Sequence, residues 1–358
     1  MKKIIIALDS FKGCLSSQEA NKAVIDGLSA YNPSLSLQSY TMSDGGEGFT
    51  EAMCPDSIIH CHVHDALMRW TDAEFGIKDG KAIIEVAQAV GLSKIEKEQR
   101  NPLVATSYGV GELIVQAMMK GCREFIIGLG GSATSDCGLG MLRCLRHAFQ
   151  TQDHKNWYDS FDTKQWHKLK VTLATDVSNP LCGPNGASYV FAPQKGASSE
   201  DVEKLERRAL TFSRMAAIHQ GFDMSNAAGA GAAGGLGYAF MEFMDAEVVS
   251  GATMVLQQNG LYEAMKEAQL IITGEGKADR QTLMGKMPYV MMQRAKQFDV
   301  PVVLMAGLIQ DKSALESTGF EQAININDGL SMDHALDKEV ATQRLKDSSL
   351  TLAKHLKL

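Results

Sequence analysis

The sequence of 358 residues lacks several features that would mark particular classes of protein. It has no apolar run of membrane-spanning length, and its start (MKKIIIALDSFKG) lacks the long apolar segment and cleavage site of a signal peptide. Its 7 cysteines form no Cys-x-x-Cys pair. No basic stripe is visible and the net charge is −7, which argues against a nucleic-acid partner. We therefore expect a cytoplasmic protein with reduced thiols, bound neither to nucleic acid nor to a membrane.

Glycine, in contrast, is abundant and clustered. The 33 glycines fall mostly in groups, which is typical of loops that approach a ligand with their backbone. The apolar fraction of 45% is sufficient for well-packed cores, and the length favours two domains. We find no internal repeat and no long linker.

The order of predicted strands and helices indicates an α/β fold. An apolar run ends at Asp9-Ser10, a helix begins near Ser16 or Ser17, and a strand and a glycine turn follow. The stretch 57–87 contains three short strand-like runs with a turn at Asp79-Gly80, which indicates an antiparallel or mixed sheet. The last third of the sequence returns to alternating strands and helices.

We therefore predict two α/β domains. One is a discontinuous parallel-sheet domain of Rossmann or flavodoxin-like type, formed by residues 1–65 and 262–358. The other is a mixed-sheet α/β domain inserted at 66–261.

Five loops share one position and one composition. Each follows a predicted strand and combines glycine or proline with hydroxyl, acidic or lysine side chains. They are DSFKG (9–13), SDGGEG (43–48), GLGGSATSD (128–136), TDVSNP (175–180) and TGEGKADRQTLMGK (273–286). Ligand sites of open α/β sheets form at the carboxyl ends of the strands, so five such loops favour a binding site over simple turns.

The loop GLGGSATSD has the composition of a phosphate cradle. Gly130 and Gly131 permit close approach, Ser132 and Thr134 offer hydroxyls, and the N–H groups of the following helix suit an anion. No Gly-Lys-Ser/Thr follows, so it is not a Walker A motif. The alternative is that Ser132 or Ser135 only caps the helix.

A second glycine cluster, NAAGAGAAGGLGYAF (226–240), contains Gly234 and Gly235. It favours a second phosphate or nucleobase platform, and close packing of small residues is the alternative.

Charged side chains accompany the glycine loops. The carboxylates are Asp9, Asp44, Glu47, Asp136, Asp176, Glu275 and Asp279, and the lysines in or near turns are Lys12, Lys195, Lys277 and Lys286. Phosphoryl transfer needs carboxylates for Mg²⁺ and for the hydroxyl proton, together with cations for phosphate charge. Taken singly, each could be a solvated charge or a helix cap. The run HCHVHD is a poor metal site, because His60, His62 and His64 would be spread along one strand.

Six segments together resemble the bacterial glycerate kinase family. They are ALDSFKGCLSSQEA, MSDGGEG, IGLGGSATSDCGLGML, TDVSNPLCGPNGASYVFAPQKGA, GAGAAGGLG and ITGEGKADRQTLMGKMP, and the match runs from residue 3 to about 307. The resemblance implies two α/β domains with the active site in the cleft between them, ATP as donor and Mg²⁺ as helper. It implies phosphorylation of D-glycerate to 2-phosphoglycerate, with 3-phosphoglycerate not excluded. We expect a monomer or a homodimer.

Within that resemblance, each residue has a predicted role. Asp176 is the predicted general base, with Asp279 the second choice, and Lys12 and Lys286 complete the catalytic set. The predicted cofactor-binding residues are Gly130, Gly131, Ser132, Thr134, Gly234 and Gly235, and the predicted substrate-binding residues are Asp9, Ser10, Lys195, Gln281 and Thr282. Asp44 and Glu275 are the predicted Mg²⁺ ligands. Two other functions stay open: a kinase of another small hydroxy acid, and a non-catalytic nucleotide-binding regulator.

Overall fold

A computed structural model describes residues 3–149, 166, 168–328 and 337–358. The chain divides into two compact units: Met1–Met53 with Ala252–Leu358, and Cys54–Gly251. The unit boundaries therefore fall after residues 53 and 251, whereas the sequence led us to expect them after residues 65 and 261. The predicted α/β class, with one parallel and one mixed sheet, is confirmed.

Eleven strands and thirteen α-helices are assigned within the described ranges. The strands are β1 (Lys3–Leu8), β2 (Ser36–Ser39), β3 (Ser57–His64), β4 (Trp70–Lys78), β5 (Lys81–Glu85), β6 (Glu124–Gly128), β7 (Lys170–Ala174), β8 (Glu247–Val249), β9 (Ala268–Ala278), β10 (Val302–Ile309) and β11 (Gln322–Asn325). The helices are α1 (Ser17–Tyr31), α2 (Phe49–Ala52), α3 (Ala87–Val90), α4 (Tyr108–Met119), α5 (Leu139–Phe149), α6 (Ala187–Phe191), α7 (Ser199–Gln220), α8 (Ala232–Met244), α9 (Gly251–Gln258), α10 (Leu261–Met265), α11 (Met287–Ala295), α12 (Lys312–Thr318) and α13 (Lys338–Leu356).

The first unit is built on a five-stranded parallel sheet with the order β2-β1-β9-β10-β11. Numbered by appearance within the unit, this is 2-1-3-4-5, the flavodoxin-like order. The residues Ile4–Leu8 are buried, because a central parallel strand is covered on both faces. The sheet order places the topological switch point between β1 and β9.

Two adjacent serines at the start of α1 form different hydrogen bonds. Ser16 is the N-cap and forms a capping box with Glu19. The hydroxyl of Ser17 instead donates to the Leu8 carbonyl at 2.6 Å and accepts from the Met42 N–H at 2.9 Å. Ser17 therefore ties the segment that leads to Asp44 to the end of β1.

The second unit is built on a six-stranded mixed sheet with the order β3-β4-β5-β6-β7-β8. The first three strands are antiparallel, with Asp79-Gly80 as the turn between β4 and β5, and β5 to β8 run parallel. Because β3 pairs along its length with β4, residues 57–64 belong to this unit.

The histidines of β3 form cross-strand and helix contacts. His60 pairs with Glu74 at 3.2 Å and His62 with Asp72 at 2.7 Å. His64 Nδ1 lies 2.9 Å from Glu112 Oε1. In the parts of the chain that the structure describes, no helix has both the length and the hydropathy needed to cross a membrane.

Candidate active site

Carboxylates gather at the switch point of the parallel sheet. Leu8 is in register with Gly274, so Asp9, directly after β1, and Glu275 of β9 occupy neighbouring positions. Asp44 lies in the glycine turn that follows β2. The carboxyl ends of parallel strands at a switch point are where open α/β sheets bind their ligands. The structure thus brings together three predicted residues from three distant stretches of sequence.

Asp9 is a buried carboxylate in an acidic setting. It is 7% exposed, and its Oδ1 accepts a hydrogen bond from the Ser10 N–H at 2.7 Å. Burial raises the pKa of Asp9 well above its usual value, and the charges of Asp44 and Glu275 act in the same direction. The ammonium of Lys12 lies 3.5 Å from Asp44, whose charge raises the pKa of Lys12. Burial and the neighbouring carboxylates therefore both disfavour the ionised form of Asp9.

Glu275 is held by a hydroxyl and an ammonium. The Thr282 hydroxyl donates to Glu275 Oε1 at 2.6 Å, and Lys286 Nζ lies 3.2 Å from Oε2. Burial raises the pKa of Glu275, although Lys286 and Thr282 oppose that effect. The same Thr282 hydroxyl accepts from the Asp279 N–H at 3.0 Å. Thr282, predicted to bind substrate, is therefore placed to orient Glu275.

Asp279 is stabilised as a carboxylate. Burial acts to raise its pKa, but the Gln281 N–H, donating at 2.8 Å, and the Lys277 ammonium at 3.1 Å hold that pKa below its usual value. A carboxylate with a low pKa is a weak proton acceptor. Asp279 and Gln281 lie directly after β9, which extends to Ala278, so residues 273–278 of the predicted loop are strand rather than loop.

The residues at the switch point suit a divalent cation that is shared with a substrate. Within the described ranges, no three acidic, histidine or cysteine side chains converge as a closed metal cage. Mg²⁺ in phosphoryl-transfer sites is held by one or two carboxylates together with phosphate oxygens and water. The repulsion that Asp9 experiences from Asp44 and Glu275 is the kind of field that a cation relieves.

Asp9→Asn is expected to stabilise the fold and to impair the reaction. The amide keeps an oxygen for the Ser10 N–H and removes a buried charge, so the thermal midpoint should rise when measured without divalent cations. Because the folded-state pKa is raised, the stability gap from wild type should close as pH falls and Asp9 becomes protonated. If Asp9 contacts substrate, loss of a charged hydrogen bond, about 1.5–3 kcal/mol, should lower kcat/KM at least about tenfold.

The matched control is Asp26→Asn. Asp26 lies on α1 of the same unit and pairs with Lys346 at 2.9 Å near the surface. Loss of a surface ion pair changes stability by at most about 1 kcal/mol. A midpoint that falls equally in both variants would contradict the account of Asp9 as an unfavourably buried charge.

The second unit presents the glycine loop at the end of β6. Gly131 has φ +73°, in the left-handed region, and the loop is fastened by hydrogen bonds from the Leu92 N–H to Gly131 O and from the Ala133 N–H to Val90 O. Ser132 and Thr134 are buried. The loop is therefore held against the end of α3 and the residues that follow it.

Asp136 caps the helix that follows the loop. Its Oδ2 accepts from the Ser107 N–H and hydroxyl at 2.8 and 2.9 Å and from the Gly140 N–H at 3.0 Å, and its Oδ1 accepts from the Gly138 N–H. The alternative that Ser132 or Ser135 caps this helix is therefore wrong. Since the cap is supplied by Asp136, the loop hydroxyls are available for other partners.

Lys195 reaches the glycine loop from a distant part of the chain. It ends the short 3-10 helix Pro193–Lys195, and its side chain is buried. Its ammonium donates to Ser132 Oγ at 3.1 Å and to the Thr134 carbonyl at 2.6 Å. Burial lowers the pKa of Lys195 to about 7, and the charge of Asp136 only partly offsets this.

Gly234 and Gly235 pack against the same loop. A Cβ on Gly234 would lie 2.0 Å from the Thr134 carbonyl oxygen, and one on Gly235 would lie 2.8 Å from Cys137 Cα. The Gly234 carbonyl accepts from the Cys137 N–H at 3.0 Å. Backbone packing accounts for both glycines, so the alternative of close packing by small residues is the one with support in the structure.

Two carboxylates lie at the ends of β5 and β7, the parallel strands that flank β6. Asp176 follows β7, which is in register with β6 through Gly128 and Ala174. Glu85 ends β5, is buried, and is in register with Gly128. Glu85 was not among the candidate residues, although a single acid ends the apolar run Ala82–Ile84.

The two groups of polar residues described above are of the kinds that a small-molecule phosphotransferase uses. One is a set of carboxylates and lysines at the switch point of a flavodoxin-like sheet, and the other is a glycine loop that meets a buried lysine. Such sites position phosphate groups, neutralise their negative charge and accept the proton of the attacking hydroxyl.

The chain belongs to the glycerate kinase family, because the model of the family described as "Glycerate kinase family" matches residues 4–357. The family and the enzyme class predicted from the sequence are therefore confirmed, and membership in a kinase family implies ATP as co-substrate.

Similar proteins agree with this membership. A protein named Glycerate kinase from Haemophilus influenzae is 38% identical over 327 residues, 86% of both chains. A protein named Glycerate 2-kinase from Escherichia coli (strain K12) is also 38% identical over 327 residues, 86% of both chains. A crystal structure from Salmonella typhimurium LT2, assigned provisionally to glycerate kinase 2, has a TM-score of 0.76 at 33% identity and covers 99% of this chain and 98% of its own.

Proposed function

We propose that this protein transfers the γ-phosphoryl group of ATP to D-glycerate and that the product is 2-phosphoglycerate. The observation that carries the position of transfer is the similarity, at 38% identity over 86% of both chains, to the Escherichia coli protein named Glycerate 2-kinase. All seven cysteines are unpaired thiols, which supports the cytoplasm as its location.

We assign the ATP phosphates to the glycine loop of the second unit. Gly130 and Gly131 allow the backbone to approach, and Ser132 and Thr134 contribute hydroxyls. The cap by Asp136 supports this assignment, because the loop serines are then not needed to cap the following helix. Gly234 and Gly235 act by holding the loop in shape.

Asp176 is the general base in this proposal. It would accept the proton of the attacked hydroxyl as that oxygen bonds to the γ-phosphorus and the bond to the bridging oxygen of ADP breaks. Its place at the end of β7, beside the strand that carries the glycine loop, supports the assignment. Asp279 is the weaker candidate, because its environment lowers its pKa.

We assign the residues at the switch point of the parallel sheet to binding Mg²⁺ and to neutralising the negative charge of the substrates. Asp44 and Glu275 would hold Mg²⁺, which when bound neutralises phosphate charge. Lys12 and Lys286 already pair with these two carboxylates and would face the glycerate carboxylate or the transferring group. Asp9, Ser10 and Gln281 complete the proposed substrate contacts.

The product is identified by coupling to enolase. Enolase acts on 2-phosphoglycerate and not on 3-phosphoglycerate, so purified protein with ATP, Mg²⁺ and D-glycerate should give an enolase signal without a mutase. A signal that appears only after phosphoglycerate mutase is added would assign the 3-position. Turnover of glycolate, lactate or tartrate at a higher kcat/KM than D-glycerate would instead make the protein a kinase of another hydroxy acid.

A further inference from the structure

The buried amine of Lys195 faces a hydroxyl and a carbonyl oxygen. An ammonium has three donors, and two of them go to Ser132 Oγ and the Thr134 carbonyl. Among the residues that the structure describes, no carboxylate lies within ion-pair distance of Lys195 Nζ. A charged group 3% exposed and without an ion pair is costly, so it is expected where a ligand supplies the counter-charge.

Unpartnered hydroxyls border the same loop. In the described part of the chain, Thr134 Oγ1 and Ser135 Oγ are buried and make no hydrogen bond. Thr134 is fully buried and is also the residue whose carbonyl holds Lys195. One donor of the Lys195 ammonium and two hydroxyls of the same loop are therefore unused within the described structure.

A phosphate suits this arrangement better than a carboxylate. Phosphate is tetrahedral and offers several acceptors to donors that come from different directions, whereas paired recognition of a planar carboxylate favours arginine. Lysine acts on phosphates as a compact point charge, and glycine loops at strand ends add backbone N–H groups. The glycerate carboxylate has other cations available in Lys12 and Lys286.

We propose that Lys195 binds a phosphate group of ATP as an ammonium ion and that it takes up a proton from solvent when ATP binds above neutral pH. The inference rests on ATP being the phosphoryl donor of the proposed function. The balance is simple: the neutral amine gains one proton from the buffer, and no covalent bond to ATP forms or breaks.

Proton uptake is expected because burial disfavours the charged form of Lys195 in the free protein. Because burial lowers the pKa of Lys195 to about 7, the neutral amine is favoured over the ammonium above neutral pH. Of the charged groups on surrounding elements, Asp136 is the one whose field acts on Lys195. Arg100 donates instead to the carbonyls of Leu92 and Ile95, and Glu85 ends the neighbouring β5. A bound phosphate would add the anion that restores the ammonium.

Calorimetry tests the proposal on the wild-type protein. A non-hydrolysable ATP analogue is titrated at pH 6, 7 and 8, each in buffers of different ionisation enthalpy, which gives the number of protons bound with the nucleotide. Uptake should increase towards about one proton at pH 8 relative to pH 6. No increase in uptake at pH 8 would overturn the proposal, whatever the behaviour of any variant.

Two variants of Lys195 separate charge from structure. Lys195→Arg carries a permanent charge, so it should bind the analogue without pH-dependent proton uptake. Subtracting the proton uptake of this variant from that of wild type removes the contribution of the nucleotide's own phosphate protons. Lys195→Met should weaken analogue binding about tenfold to a hundredfold at pH 6, because a charged hydrogen bond is lost. The control Lys204→Met, which removes a lysine of α7 paired with Glu200, should leave both binding and uptake unchanged.

The opposite assignment gives a different result. If Lys195→Met binds the analogue as wild type does but loses D-glycerate binding, the lysine holds the acid and the proposal is wrong. Failure of the proposed function is distinct: wild-type protein would then bind the analogue with proton uptake and yet leave D-glycerate unphosphorylated.

Discussion

Asp176→Asn should abolish most of the phosphoryl transfer while leaving the protein folded. The amide has nearly the shape of the carboxylate but cannot accept the hydroxyl proton, and a well-placed general base contributes about 10²–10⁴ in rate. Asp176 follows β7 and is only partly buried, so the thermal midpoint should change little. The measurement is kcat with ATP and D-glycerate, alongside a thermal melt of the same preparation.

The control for this experiment is Asp245→Asn. Asp245 follows α8 of the same unit in the left-handed conformation at φ 53°, which asparagine also tolerates, and it is exposed. Its kcat should match that of wild type. An Asp176→Asn enzyme that retains more than about a third of wild-type kcat has lost less than about 1 kcal/mol of transition-state stabilisation, so another group would have to be the base.

Gly234→Ala should destabilise the second unit by about 2–4 kcal/mol. The new Cβ would lie 2.0 Å from the Thr134 carbonyl oxygen, so the backbone of the glycine loop or of α8 must move. Overpacking costs about 1–3 kcal/mol, and the left-handed φ of +66° adds about 1 kcal/mol for a residue with a Cβ. Thermal or denaturant unfolding should show a fall in midpoint of several degrees.

Gly221→Ala separates the two contributions to that loss. Gly221 ends α7 with φ +81°, and a Cβ there would meet nothing within 4 Å. It should therefore show only the conformational penalty, about 1 kcal/mol. Equal losses in the two variants would show that close packing on Thr134 does not matter, and Gly234 would again be open to a direct role in binding ATP.

The parts of the fold that were predictable are those governed by local patterns. The apolar run Ile4–Leu8 ends at an acid, the turn Asp79-Gly80 joins two strands, and a helix begins at the serine pair Ser16-Ser17. Each of these depends on neighbouring residues, so periodicity and turn chemistry were enough. The assignment of residues 57–64 depended on which strand β3 pairs with, which is a long-range choice.

The candidate site divides in the same way. The loop at residues 128–136 was recognisable from its glycines, but the serines were open to interpretation as caps until Asp136 was found to accept from Ser107 and Gly140. Lys195 had no visible connection to Ser132, because the two are 63 residues apart and meet only in the folded unit. Glu85 had the least signal, since one acid at the end of a buried strand is easily taken for the start of a turn.

The sequence by itself therefore determined the family, the α/β class and the loops that carry the polar residues, because strand ends, glycine clusters and helix caps are encoded over a few residues. Only the tertiary structure decided which of those residues meet. The strand order places Asp9 beside Glu275, and burial sets the charge preference of Asp9 and Lys195. Both depend on what surrounds a group in three dimensions, since desolvation and the fields of neighbouring charges have no counterpart in a linear pattern.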